Sequence, residues 1–244
     1  EHFKPGGFQK YGPHHETLCA AYPGLVYCSI SGFGQTGPNR EKPGYDLMAQ
    51  GYGGIMSLTG EPEGAPMKVG VGIADVMCGM YATIGILAAL RHRDHTGEGQ
   101  HIRLSMLETM LSFFWPEGMT GLTYGEMEFD VTQLQGTQDL VYETQDRYVT
   151  AGAISDKEWA GMCRALNRED LIDDPRFKTA GDRFVNVEER KQITALEIKK
   201  WTSDEVLDRF DAEGVPSAPL LKRMELLEHE QVLANKSIDK TSYE

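Results

Sequence analysis

Apolar residues crowd most densely over residues 76–90, where no charge appears before Arg91. That pattern predicts a long helix buried on most sides. Asp75 stands immediately before it, so its carboxylate is expected at the N-cap, accepting backbone N–H groups at the positive end of the helix dipole. Gly79 and Gly85 interrupt the run. Each costs about 1 kcal/mol of helix propensity against alanine, so the pair reads as close backbone packing or ligand approach.

Shorter patterns flank this helix. Residues 25–31 are β-rich, follow Pro23-Gly24 and lead directly into Gly32-Phe33-Gly34-Gln35-Thr36-Gly37-Pro38, which reads as a strand entering a glycine loop. Residues 44–56 carry a helical apolar pattern that gives way to glycines, and residues 91–100 read as a charged glycine turn. Alternation over residues 101–106 predicts a second strand. Strand, helix and strand make an α/β unit, and in such sheets ligands gather outside the carboxyl ends of the strands, which makes the glycine loop a candidate binding wall.

Periodicity fades over residues 116–145, which read as a linker. Beyond it, residues 147–153 predict a strand, and Ser155-Asp156-Lys157-Glu158 is a capping box opening a helix to about residue 167. Further helices are predicted over 186–201, over 202–213 with Gly214 as the stop, and from residue 222 onward. The many acidic residues of this half read as solvated faces.

Charge and cysteine usage narrow the function. The 244 residues carry 37 acidic against 24 basic side chains, a net charge of −13, which opposes general affinity for nucleic acid or an anionic membrane. The 76–90 stretch alone is too short to span a bilayer. Cys19, Cys28, Cys78 and Cys163 are widely separated, so a reducing compartment is expected and neither a zinc site nor a disulfide framework is suggested. His14 and His15 read as a solvated pair rather than metal ligands, and no metal is expected. Gly32, Gly34 and Gly37 have dinucleotide-fingerprint spacing, but Pro38, Asn39 and Arg40 follow where a helix should start, so that reading is set aside.

Taken together, residues 27–38, Gly44-Tyr45-Asp46, Ile73-Ala74-Asp75 and Thr96-Gly97-Glu98-Gly99-Gln100 resemble the class III CoA-transferase (CaiB/BaiF) family. The likeness continues through Gly152, Asp173-Asp174-Pro175-Arg176-Phe177 and Gly214-Val215-Pro216-Ser217-Ala218-Pro219. Glu1-His2-Phe3-Lys4-Pro5-Gly6 is similar to an internal family motif, Glu-Asn-Phe-Arg-Pro-Gly, with His2 and Lys4 as departures, and the chain is expected to be a fragment.

The resemblance implies an α/β protein with a partial Rossmann-like large domain over residues 1–115, a linker at 116–145, a smaller α+β domain at 146–225 and a return linker at 226–244. It implies that Asp75 is the nucleophile and that His2, Phe3, Lys4, Lys10, Ser31, Gly32, Phe33 and Gly34 contact CoA. Acyl-CoA and a carboxylic acid acceptor would be the substrates, with no separate cofactor. An interlocked homodimer follows from the same likeness, and the expected location is cytoplasmic, or mitochondrial or peroxisomal in a eukaryote.

Two other functions compete. In the family's α-methylacyl-CoA racemases the Gly-Tyr-Asp motif is Gly-His-Asp, supplying a catalytic histidine where this chain has Tyr45. A phenol with its ordinary pKa near 10 is a poor base at neutral pH, which favours the transferase. A non-catalytic CoA-binding protein is the second rival, and retention of Asp75 with the glycine loops speaks against it.

Overall fold

The computed structural model describes residues 1–12, 14–60, 64–118 and 140–238. The chain divides into two compact units, residues 1–131 and 132–244.

The first unit orders α1 (His15–Ala21), β1 (Tyr27–Ser31), α2 (Asp46–Gly53), α3 (Ile73–Thr96), β2 (His101–Ser105) and α4 (Met106–Gly118). β1 and β2 pair in parallel, Tyr27 opposite His101 through Ser31 opposite Ser105, with α2 and α3 in the connection between them. This is the expected α/β unit. α1 and α4 were not foreseen. α4 follows β2 with no loop, because Ser105 Oγ accepts the Glu108 N–H at 3.1 Å and donates to Glu108 Oε2 at 2.7 Å, closing the turn on itself.

α3 departs from expectation in three ways. It runs through the charged stretch that the sequence assigned to a turn, because Arg91, His92, Asp94 and His95 lie on its exposed side. What stops it is Gly97, left-handed at φ 76°, whose N–H returns to Arg93 O at 2.7 Å. It is also not buried on most sides. Ala74, Cys78, Ala82 and Ala89 form a narrow buried stripe, whereas Val76, Met80, Ile84 and Leu87 are each more than half exposed. At 24 residues it is, by length and composition alone, long and apolar enough to cross a membrane. The close-packing reading holds for Gly85, where a Cβ would lie 3.1 Å from Ile102 Cγ2, and not for Gly79, which faces open space.

The expected linker falls mostly on residues 119–139, outside the described ones; residues 116–118 end α4, and β3 begins at Val141. The second unit holds β3 (Val141–Glu143), β4 (Tyr148–Ala151) and β5 (Ser217–Pro219), antiparallel in the order β3-β4-β5. Around them lie α5 (Asp156–Ala165), α6 (Ala180–Val185), α7 (Val187–Ile198), α8 (Ser203–Ala212) and α9 (Glu230–Ala234). The capping box at Ser155 and Glu158 forms as expected, and Thr202 with Glu205 makes another. A third, Thr179 with Asp182, opens α6.

The core of this unit gathers Val149, Trp159, Phe177, Ile198, Val206 and Phe210, all at most 3% exposed. Arg183 is buried among them, and its charge is met by Asp156 at 2.8 Å and by the carbonyls of Phe177 and Ile154. Not every acid here is a solvated face. Asp146 accepts the Ser203 N–H at 2.8 Å at the start of α8, and that bond holds its carboxyl below the usual range. Among the described residues from 222 onward, a short 3-10 turn (Glu225–Leu227) and the five-residue α9 form in place of one continuous helix.

Candidate functional site

Asp75 is the third residue of α3, and the N-cap is Gly72. The capping carboxylate comes from elsewhere: Asp46, first residue of α2, accepts the Ala74 N–H at 2.8 Å through Oδ1. Its Oδ2 accepts from Gln50 Nε2 at 2.7 Å. Gln50 is fully buried, and its amide also donates to Val71 O at 3.3 Å and accepts the Val69 N–H at 3.0 Å. The segment leading into α3 is therefore clamped from α2. Asp75 itself is exposed and has no hydrogen-bond or ion-pair partner among the described residues. Of the N–H groups that open α3, those of Ile73, Ala74 and Val76 are bonded to Val71 O, Asp46 and Gly72 O, whereas that of Asp75 has no partner among the described residues. The two carboxylates flank Gly72, where a Cβ would lie 3.7 Å from Asp46 Oδ1 and 3.8 Å from Asp75 Oδ2.

At the carboxyl end of β1 lies a cavity of about 290 Å³. His2, Phe3, Lys4, Ser31 and Gly32, five of the eight residues expected to contact CoA, line it together. Its opposite wall is Arg40, Lys42, Pro43, Gly44 and Tyr45. The two walls meet where Gly32 and Gly44 touch: a Cβ on Gly32 would lie 2.3 Å from Gly44 Cα, so neither position admits a side chain. Lys42 Nζ donates to the Tyr52 hydroxyl at 3.0 Å and Arg40 bonds to exposed Glu41 at 2.8 Å. With Lys4 these give three cations around one hollow in an acidic chain, a local field suited to phosphate. Sequence reading missed Arg40 and Lys42; their closeness to the Pro43-Gly44-Tyr45 motif was the available signal.

Lys10, Phe33 and Gly34 do not line this cavity. The Lys10 ammonium lies 4.8 Å from the Tyr11 ring centroid, and Phe33 packs edge-on against Tyr52. Gly34, at φ 98°, donates its N–H to Ser31 Oγ at 3.1 Å and so shapes the loop beneath the wall.

A second polar cluster joins Glu1, Ser29, His101 and His15. His15 is not a solvated histidine, since its ring lies 4.2 Å from that of His101. Ser29 Oγ donates to Glu1 Oε1 at 2.9 Å and lies 2.8 Å from His101 Nε2, while Arg103 Nε donates to His101 Nδ1 at 3.4 Å. Nδ1 is thus an acceptor, Nε2 carries the proton, and His101 cannot act as a base toward Ser29. Burial, reinforced by the charges of His15 and Arg103, lowers the His101 pKa to about 4. This cluster ties the start of the chain to β1 and β2.

The first unit is thus an α/β unit with a cationic hollow at the carboxyl end of β1, the edge at which open sheets gather ligands. The chain belongs to CoA-transferase family III, which it matches over residues 1–244. It is 36% identical over 236 residues to a succinate–glutarate CoA-transferase from Agrobacterium fabrum, covering 96% of this chain and 59% of that protein. It is 34% identical over 235 residues to a succinyl-CoA:mesaconate CoA-transferase from Haloarcula marismortui, covering 90% of this chain and 56% of the other. A CaiB/BaiF family protein from Brucella suis superposes with a TM-score of 0.79 at 34% identity, over 96% of this chain and 62% of that one. The chain thus spans somewhat more than half the length of these relatives.

Proposed function

We propose that the protein transfers CoA from an acyl-CoA thioester to a carboxylic acid through a covalent intermediate on Asp75. The observation that carries this reading is the Asp75 carboxylate, exposed and unbonded in the first turn of α3. Attack of a carboxylate oxygen on the thioester carbonyl expels CoA thiolate and leaves a mixed anhydride. The thiolate then attacks the aspartyl carbonyl, releasing the donor acid and forming an aspartyl-CoA thioester. The acceptor carboxylate attacks that thioester, CoA thiolate leaves again, and its return to the acceptor's acyl carbon regenerates Asp75. Each step exchanges one carboxylate or thiolate for another, so positioning and exclusion of water matter more than driving force. The unused Asp75 N–H is a donor at hand for the oxyanion formed on its own side chain.

His2, Lys4, Arg40 and Lys42 would bind the phosphates of CoA, and Phe3 would pack against its uncharged part. CoA enters as a substrate, and no metal or nicotinamide takes part. The activities named for the relatives put succinyl-CoA first as donor and a dicarboxylic acid as acceptor. An interlocked homodimer agrees with the family resemblance and with the uncovered apolar side of α3.

The test is to incubate the protein with a panel of acyl-CoA thioesters, trap with hydroxylamine and map the product by mass spectrometry. A hydroxamate at Asp75, absent in Asp75→Ala, is expected. Absence of any adduct, together with deuterium exchange at the substrate α-carbon, would replace the transferase by a racemase.

A further inference from the structure

We infer that Asp46 is the positioning residue of the reaction, a role that rests on the function proposed for Asp75. A helix start leaves several N–H groups seeking acceptors, and a carboxylate at Asp75 would ordinarily be drawn to them. Here the Asp46 carboxylate takes the Ala74 N–H from 28 residues away. Asp75 is therefore released from capping, and its carboxylate has no partner among the described residues.

The same few residues fix where Asp75 stands. Gly44 and Tyr45, immediately before Asp46, form one wall of the cationic cavity. Gln50, one turn after it on α2, holds Val69 and Val71 on the approach to α3. Asp46 thus links the cavity wall to the first turn carrying Asp75 through one carboxylate, each oxygen engaged once. Gln50 is fully buried and anchors that carboxylate from the core side, so the link is fixed to the interior. Loss of this link would leave the nucleophile and the cavity intact but no longer in register with each other.

The experiment follows hydroxylamine-trapped adduct formation at Asp75 as a function of thioester concentration in the wild type, Asp46→Ala, Asp46→Asn and Ser155→Ala. Asp46→Ala should lower the limiting rate at least tenfold while the half-saturating thioester concentration stays within twofold. Asp46→Asn keeps an oxygen for Ala74 but presents a donor to Gln50, so its rate should fall between the two. Amide exchange at Ala74 should quicken at least tenfold in Asp46→Ala and much less in Asp46→Asn. Ser155→Ala, which removes a cap in the other unit, should lower the melting temperature without altering the adduct rate. A wild-type rate in Asp46→Ala, or a rate that falls equally in Ser155→Ala, overturns the positioning role alone. Failure of the wild type to form any adduct overturns the reaction, and this role with it.

Discussion

α3 and α5 begin with the same requirement and meet it by opposite means. In α5 the cap is local: Ser155 and Glu158, three residues apart, satisfy each other's backbone groups as soon as the turn forms. In α3 the cap arrives from Asp46 on another helix, so the start of α3 is a product of tertiary structure. The cores repeat this contrast. The second unit closes over Trp159, Phe177 and Phe210, whereas the main cluster of the first is Ala49, Ala74, Cys78, Met106 and Met110, with large apolar residues of α3 left outside. One unit is finished by its own sequence, and the other keeps its charged cavity, the Asp75 carboxylate and an apolar face on its surface.

The largest expected effect separates the cores. Phe210→Ala should destabilise the second unit by about 3–5 kcal/mol in denaturant unfolding, as for other fully buried aromatics. Val76→Ser on the exposed side of α3 should cost no more than about 0.5 kcal/mol. A cost near that of Phe210→Ala would show that this face is covered in the protein at work and would break the contrast.

Acid should divide the units next. The neutral form of His101 is favoured in the fold, its pKa being about 4 against an ordinary 6.5. The unfolded chain therefore binds the extra proton first, and stability of the first unit is lost as pH falls from 6.5 toward 4. After allowance for solvent screening this is worth roughly 1–2 kcal/mol. In the second unit the Arg176 guanidinium holds the Asp174 carboxyl down at about 2. Its stabilisation is complete above the ordinary 3.8 and is lost only as pH falls toward 2. Peptide-level hydrogen exchange between pH 7 and 3 should show β1 and β2 loosening first, and His101→Gln should remove that early phase. Simultaneous loosening would erase the distinction.

The smallest effect sharpens the comparison of caps. Thr202→Ala should cost about 1 kcal/mol, the usual value for a local cap, with exchange quickening confined to the first turn of α8.

The same contrast explains what was legible in the sequence. The boxes at Ser155 and Thr202 could be read because the interacting residues are neighbours. The two parallel strands were readable from β-rich composition and alternation. No local pattern ties Asp46 to Ala74, so the sequence points to Asp75, beside the apolar run, as the cap. Likewise the charges of Arg91 to Thr96 suggest a turn, although charge on the outer side of a helix ends nothing and Gly97 does. β5, three residues long and ending in Pro219, exists only by pairing with β4. Within the cavity, His2, Phe3, Lys4, Ser31 and Gly32 were named in advance through the family motif, while Arg40 and Lys42 reach the hollow only because Gly44 is pressed against Gly32.

That glycine contact also has a genetic meaning. Every missense change in the codon of Gly32 or Gly44, whatever residue it introduces, adds a β-carbon, and a Cβ at either position falls about 2.2–2.3 Å from the other's Cα. Any coding change at this seam is therefore expected to disturb the packing of the two walls, whichever residue it introduces.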